Sequence, residues 1–138
     1  MEINSVKDLL KVLNFLRISL EYWKNIVDLQ NQMLKKDSYE LFKSLEKARE
    51  ETVTACLKFD QRINGSRIHW KKWFRKLEEI DSARFQELKG KIRTAQECIT
   101  ETDKENMLII ERKQFNLLNI HSFLFERDNL SSLENREN

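Results

Sequence analysis

At 138 residues, with no proline, two glycines and 35% charged residues, the chain has room for one domain, and its composition favours long helices over strands joined by turns. Its 25 basic and 23 acidic side chains leave a formal charge of +2, which argues against a bulk polyanion binder and leaves only local patches to consider. Cys56 and Cys98 lack any CxxC or Cys/His ligand spacing and read as two small buried apolar residues of a chain in a reducing setting.

The first helix is expected to start at Ser5, whose hydroxyl can cap a first turn that carries Asp8. From there Val6, Leu9, Leu13, Leu16, Leu20, Trp23, Val27, Gln30 and Leu34 recur at alternating steps of three and four, the seam of a coiled coil. Lys35 and Lys36 suit the negative end of that helix, so it is placed at about 5–35. Lys7, Asp8, Lys11 and Arg17 interrupt its apolar run too often for a signal sequence or a membrane span, and a cytoplasmic chain is expected.

A second, antiparallel helix at about 38–63 continues the seam through Leu41, Leu45, Ala48, Thr52, Ala55 and Phe59 and is expected to stop at Asn64-Gly65, the strongest turn signal in the chain. A short third helix at about 66–80 then carries Trp70, Trp73, Phe74, Leu77 and Ile80 on one face. Arg67, Lys71, Lys72, Arg75 and Lys76 surround that face. The expected reading of these cations is a solvated rim balanced by Glu78, Glu79 and Asp81. A last helix at about 83–127 is expected to precede a disordered polar tail over 128–138, its seam slipping near 107–110. The expected architecture is therefore all-α, an elongated antiparallel bundle or coiled coil of three to four helices.

Nothing in the chain assembles a catalytic site. His69 and His121 lie in different segments with no Glu-x-x-His or His-x-x-x-His pairing, and two separated glycines cannot build a phosphate loop. No enzyme activity, cofactor or metal is expected. The segment from Met107 to Phe125 is more informative, because it carries two apolar lines where one would suffice for a small bundle. A helix-in-groove partner, a homodimer seam or closure of the bundle could each cover it. The candidate partner-binding residues are Asn106, Ile109, Ile110, Phe115, Leu117, Leu118 and Leu124.

These residues resemble a known family, the FlgN-type export chaperones of the bacterial flagellar type III secretion system. Leu20-Glu-Tyr-Trp23, Leu29-Gln-Asn-Gln-Met-Leu34, Asp37 and Leu41-Phe-Lys-Ser-Leu45 are similar to the family's heptads and short acidic break. Asp103-Lys-Glu-Asn106-Met-Leu-Ile109-Ile110 is similar to its Asn-x-x-Asn-x-x-(Leu/Ile)-(Leu/Ile) signature, with Asp103 where the first asparagine would stand. The resemblance implies a cytoplasmic, non-enzymatic chaperone that binds the C-terminal helices of hook-filament junction proteins through its last helix and brings them to the export apparatus. Two other readings stand beside it. One is a coiled-coil adaptor or scaffold that self-associates as a homodimer through the same last helix. The other is a nucleic-acid or membrane-surface binder using residues 67–76, which the balanced net charge does not favour.

Overall fold

The computed structural model describes the backbone of residues 2–137 and side chains as far as Gln114. It is all-α. Three long helices, α1 (Val6–Lys35), α3 (Glu46–Phe74) and α4 (Glu79–Glu137), are joined by short connections, and a single-turn helix, α2 (Tyr39–Ser44), sits between α1 and α3. No strand occurs among the described residues.

Helix α1 begins where its capping chemistry places it. The Ser5 side chain accepts a hydrogen bond from the Asp8 amide at 3.2 Å, and the Asp8 carboxylate accepts one from the Asn4 amide at 3.1 Å. Two otherwise orphaned amides are thereby satisfied reciprocally. At the other end Asp37 takes a left-handed conformation, φ 58°. The Ser38 amide bonds to the Met33 carbonyl at 2.8 Å and the Asp37 amide to the Leu34 carbonyl at 3.2 Å, which is a Schellman closure without glycine. The Lys113 ammonium of α4 donates to the Leu34 carbonyl and to the Asp37 carboxylate, so a cation settles on the negative end of α1.

α1 is the centre of the molecule. It packs along both α3 and α4, whereas among the described residues α3 and α4 do not bring their Cα atoms within 8 Å of each other. That position explains why its buried face is wider than the expected seam. Leu9, Leu13, Leu16, Leu20, Val27, Gln30 and Leu34 are buried as their spacing predicts, and Val12, Ile26 and Asn31 are buried with them. A helix flanked on two sides needs two packing stripes, and a heptad reading supplies one.

The expected second helix is broken in a different place. Its seam runs through Phe42 and Cys56 rather than Leu41 and Ala55, and Leu41 is exposed. The register changes because the chain kinks at Leu45, between α2 and α3. The cause is Gln30. From the α1 core its amide donates to the Phe42 carbonyl at 3.3 Å and to Glu46 Oε1 at 2.6 Å. The Phe42 carbonyl then accepts the Leu45 amide at 3.2 Å. A side chain inserted into the helical ladder is a common source of a kink.

The stop expected at Asn64-Gly65 does not occur, and α3 passes straight through to Phe74. The residues on its inner face explain this. Ile63 and Ser66 are buried, the Ser66 hydroxyl donates to the Ile63 carbonyl at 2.7 Å, and the same oxygen accepts from Trp70 Nε1 at 2.9 Å. Tertiary packing overrides a local turn preference. A Cβ at Gly65 would meet nothing within 4 Å, so Gly65→Ala is expected to raise stability by about 0.5–1 kcal/mol in urea denaturation. A destabilised G65A protein would contradict the continuous helix.

The real break lies at 75–78 rather than at Asp81-Ser82, so the helices expected at 38–63 and 66–80 are merged and Ile80 leaves the aromatic face for solvent, 80% exposed. Beyond Glu79, α4 contains no proline and no glycine other than Gly90 to stop it, and it runs as helix to Glu137 through the stretch 128–137 expected as a disordered tail.

Candidate partner-binding groove

Because the described backbones of α3 and α4 both lie against α1 but not against each other, a groove opens between them with α1 as its floor. Three cavities of about 640, 330 and 380 Å³ follow one another along it. The first and second share Thr100, and the second and third share Leu16, Asp60 and Gln96. They are therefore stations of one trough. Leu13, Leu16, Leu20 and Trp23 form its floor, and Cys56, Leu57, Asp60 and Ile63 line the α3 wall. The α4 wall runs from Phe85 to Ile110, about 38 Å at the helical rise.

Both ends of the trough are tied. At one end Trp70 and Phe74 meet Phe85 edge-on, with ring centroids 5.7 and 5.1 Å apart, a favoured aromatic geometry. The Arg67 guanidinium lies over Trp70 and the Lys89 ammonium over Phe85. Toward the other end Arg49 reaches across from α3 and donates to Asp103 at 2.9 Å. Two donors on groove-lining residues, Trp23 Nε1 and Arg49 Nε, are buried and have no acceptor among the described residues.

The widest cavity lies at the Arg49 end. Phe42, Met107, Leu108 and Ile110 give it an apolar lining beside Gln30 and Lys104. Met107 and Leu108 are 56% and 52% exposed, which is unusual for two adjacent large apolar residues inside a described helix, and Leu57 is similarly open in the middle of the trough. Exposed apolar surface that is contiguous, rather than scattered, is characteristic of interaction sites.

The sequence-derived partner residues are distributed differently. Ile110 lines the widest cavity and is half-buried; Ile109 is half-buried as well. Asn106 lines the same cavity, with its side chain committed to α1. It is buried at 4% exposure, its carbonyl oxygen accepts from the Asn31 amide at 2.9 Å, and its own amide donates to the Val27 carbonyl at 3.2 Å. The motif asparagine therefore pins α4 to α1. Phe115, Leu117, Leu118 and Leu124 have side chains outside the described residues. Met107 and Leu108 belong to the apolar segment 107–125 noted in the sequence but not to its candidate partner residues, and Phe42 and Leu57 carry no such mark in the sequence. The structure shows why they stand open: among the described residues α3 and α4 each carry a narrow buried stripe, Thr52, Cys56, Ile63 and Ser66 on one, Phe85, Leu88, Ala95, Ile99 and Asn106 on the other. Helices that closed a three-sided bundle would each need two.

Titratable chemistry in this region is subdued. Burial pushes the Cys56 thiol up to about 11, far from a reactive thiolate at neutral pH. The Lys35 ammonium, hydrogen-bonded to Glu105, holds that carboxyl below its usual range in a pair 3.0 Å long between exposed side chains, an arrangement of little energetic weight. The cations of 67–76 form the expected solvated rim, since Arg67, Lys71, Lys72, Arg75 and Lys76 are exposed; among the described residues none of them forms an ion pair with Glu78, Glu79, Asp81 or any other acid. Among the described residues no group of three or more His, Cys, Asp or Glu side chains could hold a metal ion, and no helix is long and apolar enough to cross a membrane. No known protein family, characterised protein or solved structure matches the chain.

Proposed function

We propose that this chain is a cytoplasmic, non-enzymatic export chaperone of the FlgN type that shelters an amphipathic helix of its export substrate. The observation that carries the reading is the open trough between α3 and α4, a bundle one helix short of four, apolar where the α4 residues Met107, Leu108 and Ile110 line it. A seated helix would cover apolar floor and walls at once and place polar atoms beside Trp23 and Arg49, as helix-in-groove recognition requires. A substrate segment disordered when free would offset part of that gain with its ordering entropy, which keeps release feasible. The family resemblance supplies the substrate class, the C-terminal helices of hook-filament junction proteins. No step of such a cycle needs a cofactor.

The test is fluorescence anisotropy with labelled C-terminal peptides of hook-filament junction proteins, using the wild-type chain and Met107→Asp/Leu108→Asp. Wild-type binding is expected, with a loss of about 100-fold or more in the variant at unchanged melting temperature, since burial of an ionised carboxylate in an apolar contact is strongly unfavourable. Equal binding by the two proteins, or no binding of any such peptide by the wild type, would remove the reading.

A second reading has its own support. Phe15, Ile18, Tyr22 and Leu29, at steps of three, four and seven on α1, are 42–56% exposed, a heptad-spaced stripe on the helix that is otherwise the core. A self-associating adaptor would use it as a seam. Sedimentation of the chain and of Ile18→Glu/Tyr22→Glu separates the two: a dimer that dissociates in the variant favours the adaptor, and a monomer in both disfavours it.

A further inference from the structure

The corner where α3 turns into α4 carries a feature that folding does not explain. Ile68, Lys71 and Lys72 stand at i, i+3 and i+4 of α3, and Arg75, the C-cap at i+7, keeps helical φ and ψ, so the four lie on one face, and all four are exposed. Ile68 is 82% exposed, and Ile80, just past the turn, is 80% exposed. The aromatic residues of the same segment face the other way: Trp70, Trp73 and Phe74 pack against the core. The basic face therefore contributes nothing to the core, and its three cations have no acidic partner among the described residues. Other described cations, Lys24, Lys47 and Lys58 among them, are likewise unpaired; what sets this corner apart is that three such cations share a face with an exposed isoleucine and lie near a second.

We infer that this corner docks on an anionic lipid surface, with Lys71, Lys72 and Arg75 on the headgroups and Ile68 and Ile80 entering the acyl boundary. The two isoleucines decide between polyanions. Phosphate backbones of nucleic acid would engage the cations but give two fully presented aliphatic side chains nothing to bury against. A bilayer satisfies both, since anionic headgroups attract the cations and the interface takes up apolar side chains beside them. The half-buried tryptophans hold the corner rigid, so little ordering entropy is lost on docking. Exposed Glu78 ends the adjoining turn and exposed Glu79 begins α4; they lower the local charge without reaching the 68–75 face in any ion pair among the described residues. The inference does not depend on what the groove holds.

Flotation with phosphatidylcholine vesicles, and with the same vesicles containing phosphatidylglycerol, tests it on the full chain. The wild type is expected to float only with the anionic vesicles and to be released by salt. Each basic residue near such a surface contributes about a fivefold factor to partitioning, so Lys71→Glu/Lys72→Glu/Arg75→Glu should lose more than about 100-fold. Ile68→Ser/Ile80→Ser keeps the charge and should lose about tenfold through apolar burial alone. Both variants alter exposed positions and should melt as the wild type does. Absence of flotation, flotation on uncharged vesicles to the same extent, or indifference to the isoleucine change would overturn the inference. In the last case, charge-dependent binding of a duplex oligonucleotide would assign the corner to nucleic acid.

Discussion

Leu9→Ala and Leu88→Ala are each expected to lower the free energy of unfolding by about 2–5 kcal/mol. Both side chains are 0% exposed, on α1 and on the part of α4 that packs against it, and neither lines the trough. Truncation removes apolar contacts and leaves a void that two long helices cannot collapse to fill. Against a typical total of about 5–15 kcal/mol, that loss shifts a urea midpoint far outside experimental error. Met107→Ala, at 56% exposure, is expected to stay within about 0.5 kcal/mol of the wild type. The contrast separates residues that build the frame from residues that line the groove. A Met107→Ala protein as unstable as Leu88→Ala would mean that the groove wall is core, and the partner reading would lose its physical basis.

The second large effect concerns the polar pair in the apolar seam. Asn31→Leu or Asn106→Leu alone should cost about 1–3 kcal/mol, because each leaves the other amide buried without its partner. The double variant should recover most of that loss, since two leucines would meet where two amides did. It is also expected to give up register. A buried asparagine pair admits one alignment of α1 against α4, whereas leucines tolerate a slip. A double-mutant cycle in urea, with amide NMR spectra to count conformations, measures both. Additive losses in the double variant would show that the two asparagines are not coupled.

Much of the frame was legible in the sequence, and the reasons are local. Ser5 and Asp8 announce the start of α1, and the alternating apolar steps from Leu9 to Leu34 identify its inner face, since helical periodicity is written along the chain. What was misread depends on residues distant in sequence. The kink at Leu45 is made by Gln30 from another helix. Continuity through Gly65 rests on Ile63 and Ser66 finding a buried environment. The burial of Asn106 requires Asn31 and the Val27 carbonyl. The groove is harder still to read, because it is a relation between helices: a narrow stripe on α3 and another on α4 are compatible with a closed bundle until the distance between the two backbones is known. Of the apolar surplus of 107–125, the described residues that line the groove are Met107, Leu108 and Ile110, beside the buried Asn106.

The arrangement of α3 and α4 about a shared α1 also governs how the molecule can come apart. Since the described parts of the two outer helices meet through a few long side chains and not through close backbones, removing α4 would leave the α1–α3 hairpin with nearly all of its own contacts. Such a molecule has two layers of cooperativity: an antiparallel hairpin whose contacts are close in sequence, and a late-arriving third helix that closes on it. Amide hydrogens of α4 can then exchange through an opening that spares α3, as a separate foldon of lower free energy. During synthesis the hairpin can form while α4 is still emerging, and only α1 must wait, half covered, for its second neighbour.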